Sequence, residues 1–268
     1  IPLLFGMLFQ QFYNMMDTII VGKFLGVSAL ASVGATGSIN FMIIGFCMGV
    51  CNGFAIPVAQ RFGAKDEHGM RKFVANSVWL SIIFAVVMAV LVCVFCRQIL
   101  ELMNTPEDII DGSYSYIFVI FLGIPATYMY NLLSGIMRSL GDSKTPLYLL
   151  IFSSILNIVM DLWMVAGLGL GVFGAALATL IAQGISAVFS LLIFFYRMRR
   201  YKSIFAWFEG QELRSMLRIA VPSVLQQSTV SIGMMIVQAV VNPFGTQALA
   251  GYAATMRVEN VFSLIFVS

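Results

Sequence analysis

Eight long apolar runs, separated by short polar connections, leave this chain few folds to choose from. They lie at about 1–22, 36–60, 73–96, 113–137, 146–167, 172–196, 216–241 and 248–268. Each is close to the roughly 20 residues that an α-helix needs to cross the hydrocarbon core of a bilayer. Of the 268 residues, 60% are apolar and 10% charged, against about 25% charged in soluble domains. Such a chain cannot cover a globule with a wettable surface, and its apolar content excludes disorder. Repeated short segments of alternating polarity are absent, which removes a transmembrane barrel. The expected fold class is all-α: a polytopic membrane protein with a six-helix lobe and the start of a second.

Charge sorts by connection and gives an orientation. The second, fourth and sixth connections carry Arg61, Lys65, Arg71 and Lys72, then Arg138 and Lys144, then Arg197, Arg199, Arg200, Lys202, Arg214 and Arg218. The odd connections hold only Lys23 and Arg97. The even connections and the amino-terminal end of the first helix are therefore expected in the cytoplasm of a multi-pass cell-membrane protein. A net charge of +3 is too small to suggest nucleic acid as a partner. Residues 201–214 mix basic, aromatic and acidic side chains and read as an interfacial segment anchored at the headgroups by Trp207. The chain opens on Ile1 and stops at Ser268 inside an apolar run, so it reads as an internal piece of a longer protein.

An internal repeat sets the domain plan. Residues 15–36 (MMDTIIVGKFLGVSALASVGAT) and 234–255 (MMIVQAVVNPFGTQALAGYAAT) share nine of 22 positions without a gap. A repeat unit of about 220 residues holds six helices, an even number, so the second copy keeps the orientation of the first, as in transporters built from parallel repeats. The expected domains are a six-helix lobe over 1–200, a cytoplasmic linker over 201–214, and the first two helices of a second lobe over 215–268.

Ionisable residues inside a span are expensive and mark candidate functional sites. Asp17 lies in the first run and Asp161 in the fifth. Gln10, Asn14 and Asp17 share one helical face, as do Asn157 and Asp161 in the fifth run, and Thr179 and Gln183 in the sixth. At 1.5 Å per residue, Asp17, Asp161 and Thr179 all fall within roughly 8–12 Å of the outer boundary. Three polar stripes at one depth suit a common pocket. Two carboxylates there cannot both ionise cheaply, so the pair binds a proton or a cation. The alternative is that the two acids only hold helices together by hydrogen bonds, and both roles can coexist.

Other features carry less. Cys47, Cys51, Cys93 and Cys96 sit in or beside apolar runs and read as packing residues, since no second Cys pair or His pair completes a zinc set. His68, in the charged stretch Asp-Glu-His, is expected to face water. No paired His, metal motif or nucleophile constellation supports an enzyme. Pro2, Pro57, Pro125 and Pro222 interrupt helices as hinges or fixed bends. The small-residue runs 29–35 and 171–179 permit close helix contact.

Several stretches resemble the multidrug and toxic compound extrusion (MATE) transporters, particularly the bacterial branch close to DinF-type members. They are FYNMMDTIIVGKFLGVSALASVG (12–34), PVAQRFGAKD (57–66), LMNTPEDIIDGSYSYI (102–117), GIMRSLGDSKTPLY (135–148), LNIVMDLWMV (156–165) and GVFGAALATLIAQ (171–183). The resemblance implies twelve helices in two lobes and export of organic, often cationic, compounds in exchange for H⁺ or Na⁺, with no other cofactor. It implies an amino-lobe cation site at Asp17, Asn157, Asp161 and Thr179, with no metal beyond Na⁺ there, and a bend of the first helix at Pro2. Gln10, Asn14, Gln183, Gln226 and Gln227 are candidates for the substrate cavity. The expected partners are small organic molecules and membrane lipid, with a monomer at full length. Some branches carry a Glu on the seventh helix, where this sequence has Gln226, Gln227 and Gln238. A flippase for lipid-linked oligosaccharides, from the same superfamily, is the alternative reading.

Overall fold

The computed structural model describes residues 2–102, 107, 109–199 and 210–241. Among these residues the chain is helical and contains no strand. The elements are α1 (Pro2–Gly63), α2 (Glu67–Val94), α3 (Cys96–Leu102), α4 (Ile110–Leu122), α5 (Ile124–Ser139), α6 (Lys144–Asp161), a π-helical segment (Leu162–Gly167), α7 (Gly171–Met198) and α8 (Gly210–Val241).

The first two apolar runs are the two arms of α1. The connection expected between them is helical apart from Gly26, where φ is 84° and ψ is −173°. That conformation is essentially open to glycine alone, so the chain turns sharply there and resumes a helix at once. The fourth run is also broken: α4 and α5 meet at Gly123 and Pro125 with a bend of 46°. Proline near a helix start gives up no intrahelical hydrogen bond, which makes this a built-in bend. Pro2 is the first described residue of α1. Pro57 and Pro222 lie inside α1 and α8.

Four helical stretches, Ser32–Gly63, Glu67–Val94, Lys144–Gly167 and Gly171–Met198, are long and apolar enough to cross a membrane, and the bent α4–α5 pair makes a fifth. The first arm of α1 and α8 are helices too; the first arm carries Gln10, Gln11, Asn14, Asp17 and Lys23, and α8 carries Gln226 and Gln227. The eighth run and the linker residues 201–209 lie outside the described residues, as do most of the second copy of the repeat and Trp207.

Side chains are sorted for a lipid solvent. On α2, Ser77, Ser81, Ala85 and Ala89 are buried at four-residue spacing, whereas Ile83, Val86, Val90 and Val94 are exposed. Small residues face the bundle and let helices approach, while branched apolar ones face outward. The run at the start of α7 does the same: Gly174, Ala175, Ala176 and Ala178 are buried. Three of the cysteines, Cys47, Cys51 and Cys96, are buried, and all four are free thiols.

The most extensive contact joins the second arm of α1 to α8. Gly45, Gly49 and Gly53 recur at four-residue spacing and face Ser231, Val224 and Ala220 respectively.

Polar caps fix the bundle ends. Asp66 accepts from the Gly69 N–H at 2.9 Å and starts α2 six residues before the expected run, which places His68 in an exposed first helical turn. That N–H, with help from Arg61 at 3.0 Å, holds the Asp66 carboxyl below the usual carboxylate range. In the α5–α6 turn, Asp142 caps Thr145 N at 3.1 Å and pairs with Arg197 of α7 at 2.8 Å, while Arg197 also donates to Thr145 Oγ1 at 3.0 Å. Burial pushes the Asp142 carboxyl up, but Thr145 and then Arg197 outweigh it and hold it below its ordinary value. A depressed carboxylate contributes stability that is present above its unfolded pKa, about 3.9, and lost as pH falls through its lower folded value. Arg197→Gln is therefore expected to lower the thermal midpoint of the detergent-purified protein at pH 7. The difference from wild type should shrink as pH falls below the unfolded value and vanish once the carboxyl is protonated in the folded state as well. A difference that persists undiminished at the acid end would show that Asp142 is not the partner that matters.

Candidate functional site

Asp161 is the last residue of α6 and is fully buried, with Asn157 one turn earlier at 2% exposure. The backbone beyond Asp161 widens into the π-helical segment, where Leu168 N bonds back five residues to Trp163 O at 2.9 Å. Such π turns disturb the regular ladder and occur often at functional sites. Asp17 comes from the first arm of α1, and its carboxyl lies within hydrogen-bonding reach of the Asp161 carboxyl.

Neutral oxygens complete the cluster. With its amide oriented to satisfy both neighbours, Asn157 donates from Nδ2 to Asp161 Oδ2 at 2.9 Å and accepts at Oδ1 from Thr179 Oγ1 at 3.1 Å. The amide assignment follows from the network. Tyr13 stands one helical turn before Asp17, within hydrogen-bonding reach of Thr179 and close to both acids. Tyr116 of α4 is buried beside Asp17, Tyr13 and Asp161. Asp17 Oδ1 and Asp161 Oδ1 are buried with no hydrogen-bond partner. No arginine or lysine among the described residues acts on either carboxyl. Two adjacent carboxylates without a protein cation repel strongly in a medium of low dielectric. One shared proton relieves that repulsion, as does a monovalent cation held by carboxylate, amide and hydroxyl oxygens. No group of three or more His, Cys, Asp or Glu that could hold a metal occurs among the described residues.

The candidate cavity residues divide. Gln10 and Gln183 line a small cavity of about 70 Å³ with Tyr13, Asn157 and Thr179. Asn14 does not line it; its side chain is exposed because the helix turns Tyr13, not Asn14, toward α7. Gln226 and Gln227 line a separate cavity of about 600 Å³ between the second arm of α1, α5 and α8. The Gln238 side chain lies outside what the structure describes.

Two tyrosines escaped the sequence reading. Tyr13 was detectable, since a residue four before Asp17 shares its helical face. Tyr116 carried no such signal, because only the packing of α4 against α1 and α7 brings it to the acids. The seam glycines also went unread, although G-x₃-G-x₃-G over 45–53 is a helix-contact pattern.

A bundle of membrane-spanning helices with a buried, uncompensated acid pair marks a polytopic membrane protein with a candidate functional site inside the bilayer. The sequence model of the MatE family matches residues 2–163, and the chain belongs to that family. It is 31% identical to "Probable multidrug resistance protein YoeA" of Bacillus subtilis (strain 168), over 100% of this chain and 60% of that protein. The structure superimposes with a TM-score of 0.90 on "Outward-facing conformation of a multidrug resistance MATE family transporter of the MOP superfamily", at 26% identity, covering 99% of this chain and 60% of that one. Against the inward-facing conformation of a transporter described in the same words, the TM-score is 0.75 at 28% identity, covering 87% of this chain and 53% of that one. The chain thus spans about 60% of the length of the curated relatives it matches.

Proposed function

We propose that the full-length protein is a secondary antiporter that exports organic, often cationic, compounds in exchange for H⁺ or Na⁺. In this reading it works as a monomer in the cell membrane, needs no cofactor beyond the coupling ion, and carries Arg61, Arg138 and Arg197 at its cytoplasmic end. The single observation behind it is the contact between the Asp17 and Asp161 carboxyls, one from the first arm of α1 and one from α6. The multidrug name of the Bacillus relative supports the substrate class, and the better match to the outward-facing structure supports an outward-facing reading of this arrangement.

The mechanism follows from repulsion. With neither proton nor cation bound, two charged carboxylates push the first arm of α1 away from α6. Binding a proton or cation removes that repulsion and draws the two together. Gly26 separates this movement from the second arm, which stays in its seam with α8. The π-helical segment gives the backbone after Asp161 a loosened ladder that can shift. An ion coupled to such a change must bind one conformation more tightly than the other, and the paired acids supply that difference.

The direct test is dye efflux from membrane vesicles containing the full-length protein, with pH and Na⁺ gradients imposed separately. One gradient is expected to drive efflux in the absence of the other. If neither does while the protein is present in the membrane, the exchange proposed here is wrong.

A further inference from the structure

We propose that the cavity between the second arm of α1, α5 and α8 is a binding site for a phosphate group. It is an open cleft of about 600 Å³, and its polar wall consists of Asn52, Arg138, Ser139, Ser223, Gln226 and Gln227, of which Asn52, Arg138 and Gln226 are exposed. Among the described residues no carboxylate lines it. Ser139 Oγ donates to Ala55 O at 3.2 Å and Ser223 Oγ to Ile219 O at 3.2 Å, so these hydroxyls are already used as donors. The available donors are the Arg138 guanidinium and the amide groups of Asn52, Gln226 and Gln227.

Arg138 is set apart from the other arginines by its place in the cavity wall. Arg61, Arg71, Arg97 and Arg197 each pair with a carboxylate, namely Asp66, Glu67, Glu101 and Asp142. Arg138 forms no ion pair among the described residues, and it lies in the last turn of α5, facing the cavity. A guanidinium presents five N–H donors in a fixed fork that matches phosphate oxygens two at a time. Three amides on two other helix faces add further donors around the same space. That surplus suits a tetrahedral oxyanion better than a planar carboxylate with two oxygens. A cavity with one positive charge and, among the described residues, no acid repels organic cations, which argues against the cationic substrate expected at Gln226 and Gln227 but does not touch the ion exchange proposed above at Asp17 and Asp161. A phosphate held by α5 on one side and α8 on the other would favour the packing of α8 against α1 seen here.

The phosphate can come from a lipid headgroup, because Arg138 lies at a helix end, or from a soluble phosphorylated compound. Affinities of the detergent-purified full-length protein for phosphatidic acid, for diacylglycerol and for inorganic phosphate separate these sources. Wild type is expected to bind phosphatidic acid and not diacylglycerol. Arg138→Gln should weaken that affinity at least about tenfold, the loss of one charged hydrogen-bonding partner, with Arg138→Lys falling between. Competition by inorganic phosphate would assign a soluble source; its failure to compete would assign the lipid. Both outcomes support the site. Gln226→Leu, on a different helix, should weaken binding as well and serves as the check if Arg138→Gln lowers the thermal midpoint. Wild-type affinity in both Arg138→Gln and Gln226→Leu, or no binding of either phosphate probe to wild type, overturns the proposal.

Discussion

Asp17→Asn is expected to abolish ion-coupled efflux, with the transport rate falling at least about 100-fold while the protein remains in the membrane. Driving a two-state equilibrium from about 1:99 to 99:1 takes a differential affinity near 10⁴. At this site the difference arises from two carboxyls in contact, because the repulsion that an ion relieves requires both charges. Asn keeps the shape and hydrogen-bonding capacity of Asp17 but leaves Asp161 as a lone acid beside neutral groups. The coupling ion then finds little to relieve. Asp161→Asn should be equally severe, and the double variant no worse than either single one, since both act on one site and such effects do not add. Thr179→Val should be milder, because it removes one neutral oxygen and leaves the charge pair intact. Efflux of a fluorescent dye, measured with the driving gradient of the wild type, tests the series. Retention of gradient-driven transport by Asp17→Asn would show that the acid pair is structural, holding α1 to α6 without coupling anything.

What could be read from the sequence divides along physical lines. A buried charge is hard to hide in an apolar run, so Asp17 and Asp161 stood out. Helical periodicity then supplied Asn157 and Thr179 as companions at the same depth, and the structure places all four side chains together. Periodicity failed for Asn14, because spacings of four and seven define a face too broad to say which edge is turned inward. The break in α1 fell at Gly26 rather than near Gly22, since Lys23, Phe24 and Leu25 are compatible with helix and nothing there forces a turn until a positive φ is needed. Tyr116 and the π-helical segment after Asp161 depend on how α4, α6 and α7 pack. Hydropathy does not encode such packing.

The seam between α1 and α8 yields the second large expected effect. A Cβ added at Gly53 would lie 2.5 Å from Ala220 Cα and 2.8 Å from Ala220 Cβ, distances that no side-chain rotation relieves. At Gly49 the nearest atom is Val224 Cα at 3.1 Å, and at Gly45 it is Ser231 Oγ at 3.0 Å, the end of a side chain that can turn aside. The expected order of damage is therefore Gly53→Ala, then Gly49→Ala, then Gly45→Ala, with the last nearly neutral. Overpacking a tight contact costs about 1–3 kcal/mol, so Gly53→Ala should lower the thermal midpoint clearly, and Gly53→Val more so. Spin labels on the second arm of α1 and on α8 should report a longer distance in the same order. Ala220→Gly in the Gly53→Ala background should recover part of the loss, because it removes the Cβ but not the Cα that the new methyl meets. Equal midpoints for the Gly53→Ala and Gly45→Ala variants would mean that the two helices are not held as closely as the seam requires, and that the second arm of α1 does not stay fixed while the first arm moves.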